Sequence, residues 1–506
     1  MSLKRILKLL AAFLTGQGVA IVTQLLVPPF FLHRYPHGVE VYGEWIALTA
    51  AVSYLNTLNS GIQTYANNQM AIHYNGGEVE QARTVQASAL KLSLALIALV
   101  IAGGSLVLLM PIGRWLHLRY VSSFAASLTV FLLTIQVILG WLFGLLFNSF
   151  MVLGRAHRGQ NWGSAQRLVA VSAMAFLLWH RAPFPELAAA QLGSMLLFTL
   201  LVFLDLRFNA PVLLPSLRYG NLQSILAIVK PSAYFGLFSV SGFLLWQGPV
   251  LLIQLILGPA SVAVFSITRM IFNFSRQILY VTTFSISQEI TILVGNRNWS
   301  ALHRLYDLSE RVVLFLVTTV TIGALLMCPF AFSVWLHKPS LYEPGLCLLM
   351  AIVSAATGIK DHKIQFQYSS NQHQQLALIA LFSYVGMCSL AAISIGTMGM
   401  ASLLVLWLCA ELVQVGSILR LNKRLFPPEI HVSGAPVLRA LAMLTVCFSL
   451  AAWPVYHNVH WPIPLTVGVA CLAVAILSIF AWFAFGLKDI QALIQARLRT
   501  RFVAAK

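Results

Sequence analysis

Two series of polar side chains recur along this sequence at the spacing of one helix face. The first ladder consists of Thr49, Ser53, Asn56, Ser60, Gln63 and Asn67, and the second ladder of Arg269, Asn273, Arg276, Tyr280, Thr283 and Ser287. Both ladders advance by steps of four and three residues, which keep side chains on one side of an α-helix. Because the surrounding chain is apolar, we expect each ladder to face a polar ligand or an aqueous space.

Arg269 and Arg276 are the members of these ladders best suited to bind an anion. A charge near the centre of a bilayer costs from about 2.5 kcal/mol upward, so it is retained mainly where it faces a cavity or a partner. A guanidinium stays charged and binds phosphate through paired hydrogen bonds. We therefore predict an anion-binding wall that Asn273 and Tyr280 extend. The alternative is that an arginine, Arg276 above all, reaches an interface or pairs with Glu289.

Two carboxylates in apolar sequence are candidates for coupling transport to an ion. Glu44 begins a predicted span, and Glu411 lies deeper within another. An intramembrane carboxylate can take up a proton or a cation. Each also has a structural alternative, since Glu44 can complement a helix dipole and Glu411 can bond to a neighbouring helix.

The composition predicts an all-α, polytopic membrane protein. Of the residues 59% are hydrophobic and 9% are charged, against about 25% charged in an ordinary soluble domain. A spanning helix needs about 20 mostly apolar residues, and the apolar stretches here are continuous. About fourteen such spans are predicted: 8–33, 42–66, 86–111, 122–152, 164–182, 185–206, 231–257, 259–294, 309–335, 344–366, 374–396, 398–421, 437–456 and 462–486.

The spans are predicted to form two parallel six-helix lobes and an additional helix pair. The offset between the ladders also pairs Pro29 with Pro249 and Gly38 with Gly258, and it preserves chain direction. Internal repeats of this kind are typical of two-lobed transporters. The expected lobes cover 1–210 and 225–425, with an extra helix pair at 436–486 and a cytoplasmic tail at 487–506.

The positive charge of the chain is explained by membrane topology. If both termini are cytoplasmic, most of the 32 Lys and Arg residues, Lys360 and Lys363 among them, lie on the inner side. Basic residues there meet anionic lipid. The net charge of +18 therefore predicts a lipid partner and no nucleic acid.

Two prolines are expected to interrupt the first helix. Gln24 precedes Pro28 and Pro29, which remove backbone donors from the helix ladder. The corresponding stretch at 246–249 also contains a glycine and a proline. Interrupted helices at matching positions of two repeats indicate elements that line a cavity. Because Gln24 lies just before the two prolines, it is also a candidate substrate-binding residue.

No sequence pattern indicates catalysis, a metal or a cofactor. The six cysteines and thirteen histidines show no ligand spacing, and no phosphate-binding glycine loop is present. We expect no catalytic residue, no metal site and no cofactor.

The chain resembles the polysaccharide flippases of the multidrug/oligosaccharidyl-lipid/polysaccharide exporter superfamily, often described as lipopolysaccharide-biosynthesis or O-antigen translocases. The residues that carry the resemblance are Pro28-Pro29-Phe30-Phe31-Leu32, the run from Gly38 to Trp45, Tyr54-Leu55, Gly61, Asn67-Asn68-Gln69-Met70, Leu257-Gly258-Pro259, Val264-Phe265-Ser266, Thr268-Arg269 and Gln288-Glu289. The resemblance implies two six-helix lobes plus two helices, and alternating access. It also implies movement of an undecaprenyl-diphosphate-linked glycan to the periplasmic leaflet of a bacterial inner membrane.

The resemblance and the ladders together suggest a transport cycle. In this hypothesis Arg269 and Arg276 hold the diphosphate, and sugars contact Ser53, Asn56 and Gln63 while the lobes rock. Two alternatives remain: a cation-coupled multidrug or small-solute antiporter of the same architecture, and a membrane-embedded glycan polymerase or ligase. The identity of the glycan, and whether glycan-assembly enzymes bind the loops, stay open.

Overall fold

The computed structural model describes residues 3–286, 289–290, 293–294, 297–370, 372, 374–457 and 461–487. These residues are almost entirely helical, and no strand occurs among them. Contacts divide the chain into two compact units, Met1–Ala263 and Val264–Lys506. The all-α polytopic fold is therefore confirmed, whereas the boundaries of the proposed lobes stay a prediction.

The first unit is formed by ten helices and the start of an eleventh within the described residues. They are α1 (Leu3–Arg34), α2 (Gly38–Ser53), α3 (Leu55–Asn75), α4 (Val79–Leu106), α5 (Ile112–Trp115), α6 (Ser123–Val152), α7 (Ala156–Trp179), α8 (Phe184–Asn209), α9 (Leu222–Trp246), α10 (Gly248–Ile256) and α11 (Pro259–Ser285). α6 packs on α8, α1 on α7, and α9 on α3 and α4. This packing places 222–246 in the first unit, although the predicted second lobe begins at 225.

The second unit continues from α11 through five further helices of the described chain. They are α12 (Trp299–Phe330), α13 (Pro344–Ser369), α14 (Gln374–Lys423), α15 (Ala435–His457) and α16 (Ile463–Ala484). α14 contains a non-helical residue, Gly399, with φ 67°. Only glycine adopts this conformation readily, and Gly399 interrupts the helix close to the predicted boundary between the spans 374–396 and 398–421.

Ten helices in the described chain are long and apolar enough to cross a membrane. Large apolar side chains are exposed on them, including Leu99 at 68% and Phe480 at 66%, as expected for surfaces that face hydrocarbon. The helices of spans 42–66, 164–182 and 259–294 do not meet this test. Two of those three spans, 42–66 and 259–294, carry the polar ladders. The polar residues that predict a site therefore also lower the mean hydropathy of the helices that carry them.

The two predicted helix interruptions have different outcomes. α1 continues from Leu3 to Arg34 with Pro28 and Pro29 inside it, so the expected break is wrong. Flanking turns of a membrane helix can satisfy the groups that proline frees. The second interruption is confirmed, because α9 ends at Trp246 and α10 begins at Gly248.

Candidate functional site: an amide-lined cavity and a charged cluster

A cavity of about 440 Å³ lies in the first unit. It is lined by four members of the first ladder, Thr49, Ser53, Asn56 and Gln63. Tyr54, which separates α2 from α3, keeps helical dihedral angles (φ −60°, ψ −28°), so the ladder continues along one face. The volume falls in the usual range of about 300–1,000 Å³ for small-molecule sites.

The polar lining of this cavity consists mainly of carboxamides. Besides Asn56 and Gln63, the side chains of Asn59, Gln136 and Gln191 line it, and no acidic or basic residue does. A carboxamide supplies both donors and an acceptor without a charge. The cavity is therefore chemically suited to an uncharged ligand with many hydroxyl groups.

Gln63 connects two of the helices that line the cavity, α3 and α6. Its Nε2 donates to the backbone carbonyl of Trp141 on α6 over 3.0 Å. Asn148 in turn donates to the backbone carbonyl of Gln63 over 3.4 Å. Gly144 makes this approach possible, since a Cβ there would overlap with the Gln63 side chain. Gln63 thus has a structural contact as well as a position in the lining.

Thr49 and Ser53 face the cavity with hydroxyl groups that are already bonded to their own helix. Thr49 donates to the carbonyl of Ile46 over 2.9 Å, and Ser53 to that of Ala50 over 2.8 Å. Each oxygen keeps lone pairs with which it can accept a further hydrogen bond.

Other members of the predicted set lie apart from this cavity or outside the described part of the chain. Gln24 on α1 and Asn67 on α3 are half-buried and are not among the lining residues. The side chains of Ser60 and Tyr280 and the whole of Ser287 lie outside the described residues. Thr283 is buried and donates to Leu279 of its own helix over 3.1 Å.

The arginines of the second ladder have different surroundings. Arg276 forms an ion pair of 2.6 Å with Asp361 on α13, and its Nη1 donates to Asn273 over 3.3 Å. Asp361 therefore takes the place of Glu289, the partner that the sequence suggested for Arg276. The guanidinium of Arg269 lies 5.2 Å from the ring centre of Phe265, within cation–π range, and Arg269 is half-buried.

Glu411 belongs to a buried polar cluster in the second unit. It is fully buried and forms an ion pair of 2.7 Å with Lys360. The hydroxyl of Tyr384 and the indole N–H of Trp407 donate to its Oε1 over 2.8 and 3.1 Å. Lys360 also donates to Tyr384. Burial of a carboxylate is tolerated here because each oxygen meets a donor or a cation.

A second buried ion pair joins Lys363 to Glu310. Lys363 is 1% exposed, and its Nζ lies 3.9 Å from the ring centre of Tyr306. Lys360 is 3% exposed. Acids on neighbouring helices therefore hold Lys360 and Lys363 inside the second unit, and both lysines are buried in the protein. The orientation inferred from the other basic residues stays a prediction.

Glu44 is also buried, but its partners are backbone groups. Its Oε1 accepts hydrogen bonds from the amides of Arg119 and Tyr120, the latter over 3.0 Å. Those amides belong to the connection between α5 and α6. Glu44 thus stabilises a turn, as a carboxylate accepting backbone N–H bonds can do.

Comparison with solved structures places this fold among known transporters. No family profile and no curated protein sequence matches the chain. The lipid II flippase MurJ in an inward closed conformation matches with a TM-score of 0.64 at 12% identity, over 97% of this chain and 100% of MurJ.

Two solved structures in different conformations, each of a multidrug-resistance MATE-family transporter of the MOP superfamily, are also similar. An inward-facing one has a TM-score of 0.56 at 17% identity, over 84% of this chain and 95% of the other. An outward-facing one has a TM-score of 0.58 at 14% identity, over 87% and 96%. The chain therefore has the fold of MOP-superfamily transporters.

Proposed function

We propose that this protein is a flippase that moves a polyprenyl-diphosphate-linked oligosaccharide from the cytoplasmic to the periplasmic leaflet by alternating access. The observation that carries the proposal is the uncharged, amide-lined cavity of the first unit. Sugars are neutral and rich in hydroxyl groups, and Asn56, Gln136 and Gln191 can donate to them and accept from them. Apolar lining residues such as Val52 and Leu133 can contact the C–H faces of sugar rings.

In this proposal Arg269 binds the diphosphate. Its guanidinium stays charged on an otherwise apolar helix, and the planar fork of its N–H groups matches phosphate oxygens geometrically. Arg276 assists from two turns further along α11, and Asp361 fixes its orientation. The fold likeness to MurJ, described as a lipid II flippase, supports a lipid-linked substrate.

The cation-coupled multidrug antiporter is the second candidate, and the likeness to MATE transporters favours it. A cationic drug needs an acid in its site. The acids described in the second unit's cluster already have basic partners, namely Glu310 with Lys363, Asp361 with Arg276, and Glu411 with Lys360. The cavity lining of the first unit contains no acid. We therefore prefer the neutral glycan.

If transport is ion-coupled, we propose Glu411 as the coupling residue in preference to Glu44. Glu411 is held by the side chains of Lys360, Tyr384 and Trp407, which can exchange partners when it takes up a proton. Glu44 is held by backbone amides that remain donors whatever its charge. A bacterial inner-membrane location with both termini cytoplasmic completes the proposal.

The test is transport in vesicles that contain the purified full chain. A fluorescent polyprenyl-diphosphate oligosaccharide and a cationic dye are offered to separate samples, and leaflet exchange of the lipid or uptake of the dye is followed. We expect exchange of the lipid and no uptake of the dye. Dye uptake without lipid exchange would establish the antiporter instead.

Arg269→Ala is expected to abolish lipid exchange while the protein still inserts and purifies, because the diphosphate loses its cation. Arg304→Ala, which removes an exposed arginine of α12, is the matched control and should exchange lipid at the wild-type rate. Full exchange by Arg269→Ala would remove this arginine from the mechanism.

A further inference from the structure

Two buried hydrogen-bond donors in the cavity of the first unit lack a partner among the described residues. Asn59 on α3 is 1% exposed and Trp141 on α6 is 3% exposed, and both line the cavity. Neither Nδ2 of Asn59 nor Nε1 of Trp141 has a hydrogen-bond partner in the described structure. Neither residue belongs to the polar ladder predicted from sequence.

Such donors are unusual because they are costly. A buried donor left without an acceptor destabilises a fold, and most buried polar groups are therefore bonded. Neighbouring bonds hold both residues in position: Ser93 donates to Oδ1 of Asn59 over 3.1 Å, and Gln63 donates to the Trp141 carbonyl. With its oxygen engaged by Ser93, Asn59 lines the cavity while its N–H groups have no acceptor in the described structure.

We infer that Asn59 and Trp141 form a subsite that binds an acceptor oxygen of an uncharged sugar residue. The inference rests on the proposed function and names the part of the substrate that enters this cavity. The oxygen belongs to a sugar hydroxyl or to the carbonyl of an acetamido group, since both accept from amide and indole N–H groups.

The chemistry of the lining favours an uncharged sugar residue over a charged one. A uronate or phosphate would lose its hydration on entry and would meet amides but no cation there. Water can occupy the space before the ligand enters, because the cavity is roomy and amide groups line part of it. A sugar oxygen then replaces that water at two donors whose positions are already fixed, so little ordering entropy is lost on binding.

The test measures binding of soluble methyl glycosides to the full chain in detergent, without any transport. The probes are methyl glucoside, methyl N-acetylglucosaminide and methyl glucuronide, and the readout is the affinity obtained by titrating the thermal unfolding midpoint. We expect both neutral glycosides to bind and the glucuronide to bind at least tenfold more weakly. Tighter binding of the acetamido compound assigns the oxygen to its carbonyl, and equal binding of the two assigns it to a hydroxyl.

Two variants test the donors. Trp141→Phe removes the indole N–H while keeping an aromatic ring, and Asn59→Leu removes the amide at similar volume. Each is expected to weaken binding of the neutral glycosides about three- to tenfold, the usual range for one hydrogen bond. Trp179→Phe, which changes an exposed tryptophan of α7, is the matched control and should bind as the wild type does.

The inference is overturned if both variants bind neutral glycosides as tightly as Trp179→Phe, or if the glucuronide binds as well as the neutral compounds. These results are separate from those of the flippase assay. Glycoside binding that depends on both donors, in a protein that moves no lipid-linked glycan, would retain the subsite and reject the proposed function. If the wild-type protein exchanges lipid but both variants bind glycosides normally, the proposed function would stand and the subsite would be rejected.

Discussion

The cavity of the first unit and the ion-pair cluster of the second unit contain different kinds of buried polar group. The cavity of the first unit is lined by uncharged amides, and two buried donors there have no partner in the described structure. The second unit buries charges, yet it joins Glu310 to Lys363 and Glu411 to Lys360. In our proposal the unsatisfied amide and indole donors of the cavity bind a ligand, whereas the matched charges stabilise one packing arrangement. Charge in a membrane protein is therefore not by itself the best indicator of a binding site.

The largest effect is expected from breaking a matched pair. Lys363→Met leaves Glu310 buried without its cation, which typically costs about 3–5 kcal/mol. The variant should unfold at a markedly lower temperature or denaturant concentration in detergent. Lys423→Met, at an exposed position of α14, is the matched control and should leave stability unchanged.

Restoring neutrality should restore stability. The double variant Lys363→Met with Glu310→Leu replaces both charges by apolar groups and is expected to recover most of the loss, as other buried pairs do. A single Lys363→Met variant that unfolds like the wild type would show that the pair is not part of the packing, and the contrast between the units would fail.

An intermediate effect is expected from placing a charge in the neutral cavity. Gln136→Glu introduces a carboxylate among the amides, and it should tighten binding of a cationic dye about tenfold, which corresponds to about 1.4 kcal/mol. Equilibrium dye fluorescence with the purified protein measures this change. Gln136→Leu removes the amide without adding charge and should not bind the dye more tightly. Equal dye binding by both variants would argue that the cavity does not admit ligands.

The smallest effect is expected from a single methyl group on α6. Gly144→Ala would place a Cβ against the side chain of Gln63 and displace it from the cavity lining. Neutral glycosides should then bind about threefold more weakly, the effect of roughly one hydrogen bond. Gly103→Ala is the matched control, because Gly103 on α4 is not a lining residue and its added methyl would meet no neighbouring atom within 4 Å; this variant should bind normally. Equal affinities for the two variants would separate Gln63 from ligand binding.

Local periodicity was sufficient to predict much of this molecule. The apolar runs gave the helical fold, and the steps of four and three gave the face of α2 and α3 that lines the cavity. The break after Trp246 and the turn at Gly399 also follow from local sequence. Such features depend on residues within a few turns of one another, which is the range that periodicity reports.

Pairing between distant helices could not be read in the same way. Asp361 reaches Arg276, and Glu411 reaches Lys360, across large separations in the chain. The sequence did contain a cluster of charges from Lys360 to Lys363 within α13, but their spacing does not reveal which distant acids they meet. Asn59 and Trp141 were missed because an unsatisfied donor is defined by the absence of a neighbour, and only a three-dimensional arrangement reveals it.

The contact of Glu44 with the amides of Arg119 and Tyr120 has a consequence for biogenesis. During synthesis, α2 leaves the ribosome before residues 119 and 120 do. At that stage the carboxylate of Glu44 lies in apolar sequence without the backbone amides that later donate to it. The early helices then cannot reach their final packing until the chain has returned to the same side of the membrane. Insertion of this protein should therefore proceed through a pause in which the first helices stay near the translocon.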